Sequence, residues 1–73
     1  MEKLLKIINL IRDNKGLKSL DSISPEHNLM NDLQFDSLDL AELTVRCEKE
    51  FGIDIFEDGI VTNIQEVLDR LNG

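Results

Sequence analysis

Apolar residues spaced three and four apart predict three amphipathic helices in this chain. The first helix ends at a stop signal over residues 13–16. Its apolar face is Leu4, Ile7, Ile8 and Ile11, widened by Leu5 and Leu10, and its polar face is Lys3, Lys6, Asn9 and Arg12. The last helix begins with a capping box over residues 62–65, in which Gln65 reaches back to the cap. No alternating strand pattern persists anywhere, which predicts an all-α fold.

The second helix, from about Ser37 to Glu50, carries two apolar rows. The first row predicts the core face and consists of Leu40, Leu43, Cys47 and Phe51. The second row consists of Leu38, Ala41 and Val45, interleaved with Asp39, Glu42 and Glu48. An apolar strip edged with carboxylates is typical of a docking surface, whereas the ordinary explanation makes it the rim of the core. The pattern alone leaves both interpretations open.

Two connections join the predicted helices. Residues 17–36 form a long first loop, whose expected anchors on the core are Leu17, Leu20, Ile23, Leu29 and Leu33. A loop of this length in a compact domain needs a function. Residues 52–61 are broken by Gly59 and predict a loop or a single helical turn. The predicted architecture is a small three-to-four-helix bundle with a short third helix.

The charge of the chain is concentrated in one segment. The net charge of the 73 residues is −7, and residues 32–58 hold nine acids against Arg46 and Lys49, which gives −7 for that segment alone. This sign argues against nucleic acid binding and against an anionic membrane surface. A solvated helix face is the ordinary explanation of such a run, but a localised acidic field also attracts partners with basic surfaces.

The cysteine and histidine content predicts neither a disulfide nor a metal site. Cys47 is the single cysteine and lies on the predicted core face, and His27 is a lone loop histidine. Residues 54–65 contain the glycine of a calcium-binding loop, but Phe56 and Gln65 stand where oxygen ligands are required. Neither a signal peptide nor a segment of transmembrane length occurs. We therefore expect a cytoplasmic protein without membrane insertion.

The most informative motif is residues 32–39, Asp-Leu-Gln-Phe-Asp-Ser-Leu-Asp, which opens the second helix. Ser and Asp are common at helix N-termini because they satisfy free backbone N–H groups, so the tripeptide at Ser37 alone is a weak signal. With the preceding Asp-Leu and the acidic helix behind it, the motif resembles the attachment site of the acyl carrier proteins. Residues 23–25, 48–53 and 62–72 are similar to the same family.

The resemblance implies that Ser37 carries a 4′-phosphopantetheine arm derived from coenzyme A. Residues 1–73 would then be a single acyl carrier domain, monomeric and without a fused module, and a carrier instead of an enzyme. It would hold acyl intermediates as thioesters for fatty-acid or polyketide synthesis. No base lies near Ser37 in sequence, so a Mg²⁺-dependent phosphopantetheinyl transferase would have to supply the base.

By the same resemblance, the second helix meets basic docking surfaces on the transferase and on acyl-transfer and chain-elongation enzymes. The expected docking residues are Asp36, Leu38, Asp39, Glu42, Val45 and Glu48. The apolar interior of the bundle would shelter the acyl chain.

The chain departs from the family pattern at several positions. Gln34 stands where the family usually has glycine, which predicts a turn of different shape before Asp36. Phe35 is bulkier than the small residue common there and is expected to be exposed beside the arm. Arg46 and Lys49 interrupt a helix that is usually more acidic. These departures leave open whether the chain serves primary fatty-acid synthesis or a specialised pathway.

Two other functions fit the residues. The first is a carrier of an aminoacyl or D-alanyl group, since the residues before Ser37 favour acyl cargo only modestly. The second is an acidic helical interaction module that is never modified, in which Ser37 is only an N-terminal helix residue. Attachment of the arm separates the carriers from the interaction module, and loading by purified ligases separates the two carriers.

Overall fold

The computed structural model describes residues 2–72 and contains three helices. Helix α1 spans Glu2–Asn14, α2 spans Ser37–Phe51 and α3 spans Ile64–Leu71. Across this part of the chain there is no strand, and the one β-type contact is an isolated bridge between Asn28 and Asn63. The prediction of an all-α fold is therefore confirmed.

One apolar core joins the three helices and both connections. Its buried side chains are Leu4, Ile8, Ile11, Ile23, Leu29, Leu33, Phe35, Leu43, Cys47, Ile55, Val61, Ile64 and Val67. The predicted core face of α2 is confirmed, because Leu43 and Cys47 are buried while Leu40 and Phe51 pack against the core. The prediction for Leu10 was wrong: it is 45% exposed, on the outer edge of α1.

The first loop is fastened to α1 by two residues that the helical pattern assigned to the solvent face. Asn9 exchanges hydrogen bonds with the backbone of Leu20, at 2.9 Å to its carbonyl and 2.7 Å from its N–H. Arg12 is only 6% exposed and donates to the carbonyls of Lys18 and Leu33. The solvent-facing prediction for Asn9 and Arg12 was wrong because the loop covers this side of the helix and supplies acceptors for both side chains.

The same loop is also tied to the start of α3. The Leu29 N–H donates to the carbonyl of Thr62 at 2.9 Å, and the Ile64 N–H donates to the carbonyl of His27 at 3.0 Å. Ile23, Leu29 and Leu33 are buried as predicted, and Leu20 packs against the core. The long connection is therefore an ordered part of the bundle that leads directly to Ser37.

Residues 52–61 form turns, as the prediction of a loop or a single helical turn stated, and the described chain has no separate short helix there. The Glu57 N–H donates to the Asp54 carbonyl and the Gly59 N–H donates to the Phe56 carbonyl. The cap of α3 is Asn63, whose side chain accepts from the N–H of Glu66. The Glu66 carboxylate, instead of Gln65, reaches back and accepts from Thr62. The N-cap of α3 was thus predicted one residue too early.

Candidate attachment site

Ser37 is the first residue of α2, and its position is fixed by a capping box formed by its two neighbours. Asp36 is the N-cap, and its Oδ1 accepts from the Asp39 N–H at 3.0 Å. In return, the Asp39 Oδ2 accepts from the Asp36 N–H at 2.9 Å. Ser37 itself is exposed. The fold therefore presents the serine, exposed to solvent, at a helix end that is capped on both sides of it.

The residues immediately before the cap are also held in place. Phe35 is 2% exposed and donates from its N–H to the Leu29 carbonyl at 3.0 Å. The expectation that Phe35 lies exposed beside the arm was wrong, since the aromatic ring fills the core. Gln34 has a φ of 62°, the left-handed conformation that favours glycine. Gln34 therefore holds a backbone conformation that glycine adopts more readily than glutamine.

Two cations from the end of α1 and the residue after it bind the segment before Ser37. Arg12 Nη1 donates to the Leu33 carbonyl at 2.8 Å. Lys15 Nζ donates to the Gln34 carbonyl at 2.7 Å and to Asp39 Oδ2 at 2.5 Å. These contacts cross 19 to 24 residues of sequence, so no local spacing in the chain could have revealed them.

The contact with Lys15 favours the ionised form of Asp39. Burial raises the pKa of this carboxyl, but the hydrogen bonds from Lys15 and Asp36, together with the Lys15 charge, outweigh burial and leave the pKa below its usual value. Asp39 is therefore ionised at neutral pH and paired. Its negative charge at the helix N-terminus is largely offset by the ammonium group.

The chemistry of this helix end suits a phosphodiester on the serine. The first N–H groups of a helix have no intrahelical acceptor, and the helix dipole is positive there. Asp36 and Asp39 are acids and would repel a phosphate at this helix end, but Lys15 offsets the charge of Asp39 and so weakens this repulsion. Among residues 2–72 no side chain forms a hydrogen bond with the Ser37 hydroxyl, so no internal base activates it.

The outer face of α2 is partly apolar and partly acidic. Leu38 is 79% exposed and Val45 is 66% exposed, so they are not the rim of the core. Asp36 and Glu48 are exposed as well. Glu42 and Asp39, the other two residues predicted for docking, are less accessible to a partner. Glu42 is half-buried and accepts from Arg46 Nε at 2.7 Å, and Asp39 is 9% exposed inside the capping box.

Neither Cys47 nor His27 lies in a reactive arrangement. Cys47 is buried, and this burial raises the pKa of its thiol to about 11. His27 Nδ1 accepts from the N–H of Ser24 at 3.1 Å. Between Glu2 and Asn72, no group of three or more His, Cys, Asp or Glu side chains is placed to hold a metal ion. The prediction that Cys47 is a packed core thiol is confirmed.

Comparison with known proteins identifies the family to which the chain is similar. Residues 5–71 match the family model described as the phosphopantetheine attachment site. An acyl carrier protein of Picosynechococcus is 49% identical over 67 residues, which cover 92% of this chain and 80% of the relative. An acyl carrier protein of Rickettsia bellii is 40% identical over 67 residues, with 92% and 76% covered. One of Nitratidesulfovibrio vulgaris is 35% identical over 69 residues, with 92% and 90% covered.

The chain belongs to the acyl carrier protein family. It is a carrier and not an enzyme, and its cofactor is a covalently attached 4′-phosphopantetheine. That cofactor supplies a thiol on which acyl groups are held as thioesters. Family membership also implies interaction with a phosphopantetheinyl transferase and with synthesis enzymes. In the described part of the chain, no helix is both long and apolar enough to span a membrane.

Proposed function

We propose that Ser37 is the residue that carries the phosphopantetheine arm and that the chain presents acyl groups to the enzymes of fatty-acid or polyketide synthesis. The observation that carries this proposal is an exposed serine at the first position of a helix, inside a capping box. The matched family region, residues 5–71, contains it. The proposed compartment is the cytoplasm, where a thiol that must accept acyl groups stays reduced.

The roles of the surrounding residues follow from their contacts. Asp36 caps the start of α2, and the first backbone N–H groups of the helix would be donors to a phosphate carried by Ser37. We propose that Leu38 and Val45 contact partner enzymes through their exposed apolar side chains, while Asp36, Glu42 and Glu48 attract basic surfaces. Asp39 has its carboxylate engaged by Lys15 and by the cap, so we assign it to positioning the serine.

The attachment step is tested by intact-mass measurement after incubation with coenzyme A, Mg²⁺ and a broad-specificity phosphopantetheinyl transferase. The expected result is a gain of one phosphopantetheine group, absent in Ser37→Ala. Ser22→Ala is the matched control, since Ser22 is another exposed serine and its loss should leave the gain unchanged. A gain retained in Ser37→Ala would refute the assignment.

The docking assignment is tested by charge reversal. Glu48→Lys should raise the KM of the transferase several-fold, and the effect should shrink at high salt because exposed charges are screened. Glu26→Lys makes the same change of charge at an exposed position on the first loop and should have little effect. Equal effects of the two variants on the KM would show that the transferase responds only to the net charge of the carrier, and would refute a docking role for Glu48.

The class of cargo is tested on the modified protein. An acyl ligase supplied with fatty acids should load it, whereas a D-alanine ligase should not. Loading with D-alanine alone would overturn the assignment to acyl metabolism while leaving the attachment site intact.

A further inference from the structure

We propose that Lys15 is a positioning residue for the modification of Ser37, because its ammonium group holds both the left-handed turn at Gln34 and the capping box of α2. The inference rests on the proposed role of Ser37. One Nζ atom lies 2.7 Å from the Gln34 carbonyl oxygen and 2.5 Å from Asp39 Oδ2. Lys15 thus contacts the chain on both sides of the serine.

The turn needs such a contact because a glutamine occupies it. A side chain with a Cβ is disfavoured in the left-handed region, where Cβ approaches the following carbonyl oxygen. Gln34 is exposed, so packing of its own side chain does not compensate. The charge-assisted hydrogen bond from Lys15 to its carbonyl is a direct stabilisation of this conformation.

The cap needs the same contact because Asp39 is nearly buried. The residue is 9% exposed, and its Oδ2 accepts both from Lys15 and from the Asp36 N–H. Without the ammonium group, the ionised Asp39 carboxylate would stay nearly buried and would keep the Asp36 N–H as its one donor among the described residues. Reorientation of Asp39 towards water would release the Asp36 N–H, and the start of α2 would lose half of its capping box.

If Lys15 acts only through its charge, its removal should change the rate of Ser37 modification in the opposite direction from the loss of a positioning contact. Removal of Lys15 makes the carrier more negative, which would favour encounter with a basic transferase and speed modification. Loss of positioning would slow it, because small displacements of a reacting group are costly. The direction of the change in the modification rate therefore distinguishes a positioning role of Lys15 from an effect of net charge.

The experiment compares Lys15→Met, Lys18→Met, Gln34→Gly and the double variant Lys15→Met with Gln34→Gly in the transferase reaction. Lys18 is the matched control, since its side chain makes no ion pair or hydrogen bond with the residues from 2 to 72. We expect Lys15→Met to lower kcat about 3- to 10-fold with little change in KM. The double variant should recover only part of this loss relative to Gln34→Gly, because glycine adopts the turn without help, whereas the Asp39 carboxylate still lacks its ammonium partner.

Amide hydrogen exchange at Phe35, Asp36 and Asp39 supplies a readout that does not depend on the transferase. Lys15→Met should accelerate exchange at these amides about tenfold relative to Lys18→Met. Lys15→Gln is a milder second variant, expected to fold and to show intermediate exchange and rate, because an amide can still donate to the Gln34 carbonyl. If wild-type protein is not modified at all, the proposed function fails, while the exchange data still decide the role of Lys15.

Equal rates and equal exchange in the Lys15 and Lys18 variants would overturn the inference. Faster modification of Lys15→Met would also overturn it and would assign the effect to net charge.

Discussion

Replacement of Gln34 by glycine should stabilise the protein. Gln34 has a φ of 62° and an exposed side chain, so the substitution removes a steric penalty and little packing. The hydrogen bond from Lys15 to residue 34 is made to the main-chain carbonyl and is retained. The effect is therefore confined to the backbone.

The expected gain follows from two opposing terms. The left-handed conformation costs a residue with a Cβ about 1–2 kcal/mol relative to glycine. Glycine in turn loses about 0.4–1 kcal/mol more through the entropy of the unfolded chain. At the middle of both ranges the net gain in the free energy of unfolding is about 0.8 kcal/mol, and a domain of this size converts that into a rise in Tm of roughly 3–6 °C.

The assay is thermal and urea unfolding followed by circular dichroism, with Gly52→Ala as the matched control. Gly52 caps α2 at a φ of 73°, and an added Cβ would meet no atom within 4 Å. The same two backbone effects, taken at the middle of their ranges, predict a loss of about 0.8 kcal/mol for Gly52→Ala. A lower or unchanged Tm for Gln34→Gly, beside a normal loss in the control, would refute the reasoning.

Three further predictions concern the core and the capping box. Leu43→Ala should lower the free energy of unfolding by about 2–5 kcal/mol, whereas Val45→Ala, at a position 66% exposed, should change it by less than about 0.5 kcal/mol. Equal losses for the two variants in urea titrations would contradict the assignment of a core face and an outer face to α2. Cys47 is buried and its thiol pKa is raised to about 11, so it should react with a thiol reagent only when the protein unfolds. Rapid labelling of the folded protein would contradict the burial of Cys47. The pKa of Asp39 is lowered in the folded state, so its stabilising contribution is present above the usual aspartate pKa of about 4 and is lost as the pH falls through the lower folded value. The urea midpoint of the wild type should therefore fall more steeply at acid pH than that of Asp39→Asn. Parallel curves for the two proteins would refute the pairing of Asp39 with Lys15.

The helices and most of the core could be predicted from the sequence because periodicity reports local geometry. Leu43 and Cys47 are buried at the spacing that placed them on the core face. The start of α2 at Ser37 was also predictable, since Asp and Ser are strong N-terminal signals.

The polar contacts that shape the site could not be predicted in the same way. Arg12 and Lys15 act on residues far along the chain, and the side of α1 that carries Arg12 becomes buried only when the first loop folds over it. Phe35 was assigned to the surface by comparison with a smaller family residue, whereas the core had room for its ring. A family pattern gives the position of a residue but does not give the packing around a larger one.

The measurement that tests the central claim most directly is localisation of the arm within the modified protein. Cleavage after Lys18 and Arg46 releases residues 19–46, a peptide with four serines at positions 19, 22, 24 and 37. Fragmentation of this peptide in the mass spectrometer should place one phosphopantetheine group on Ser37 and none on the other three. An arm on another serine, or an unmodified peptide from folded protein treated with an active transferase, would contradict the account.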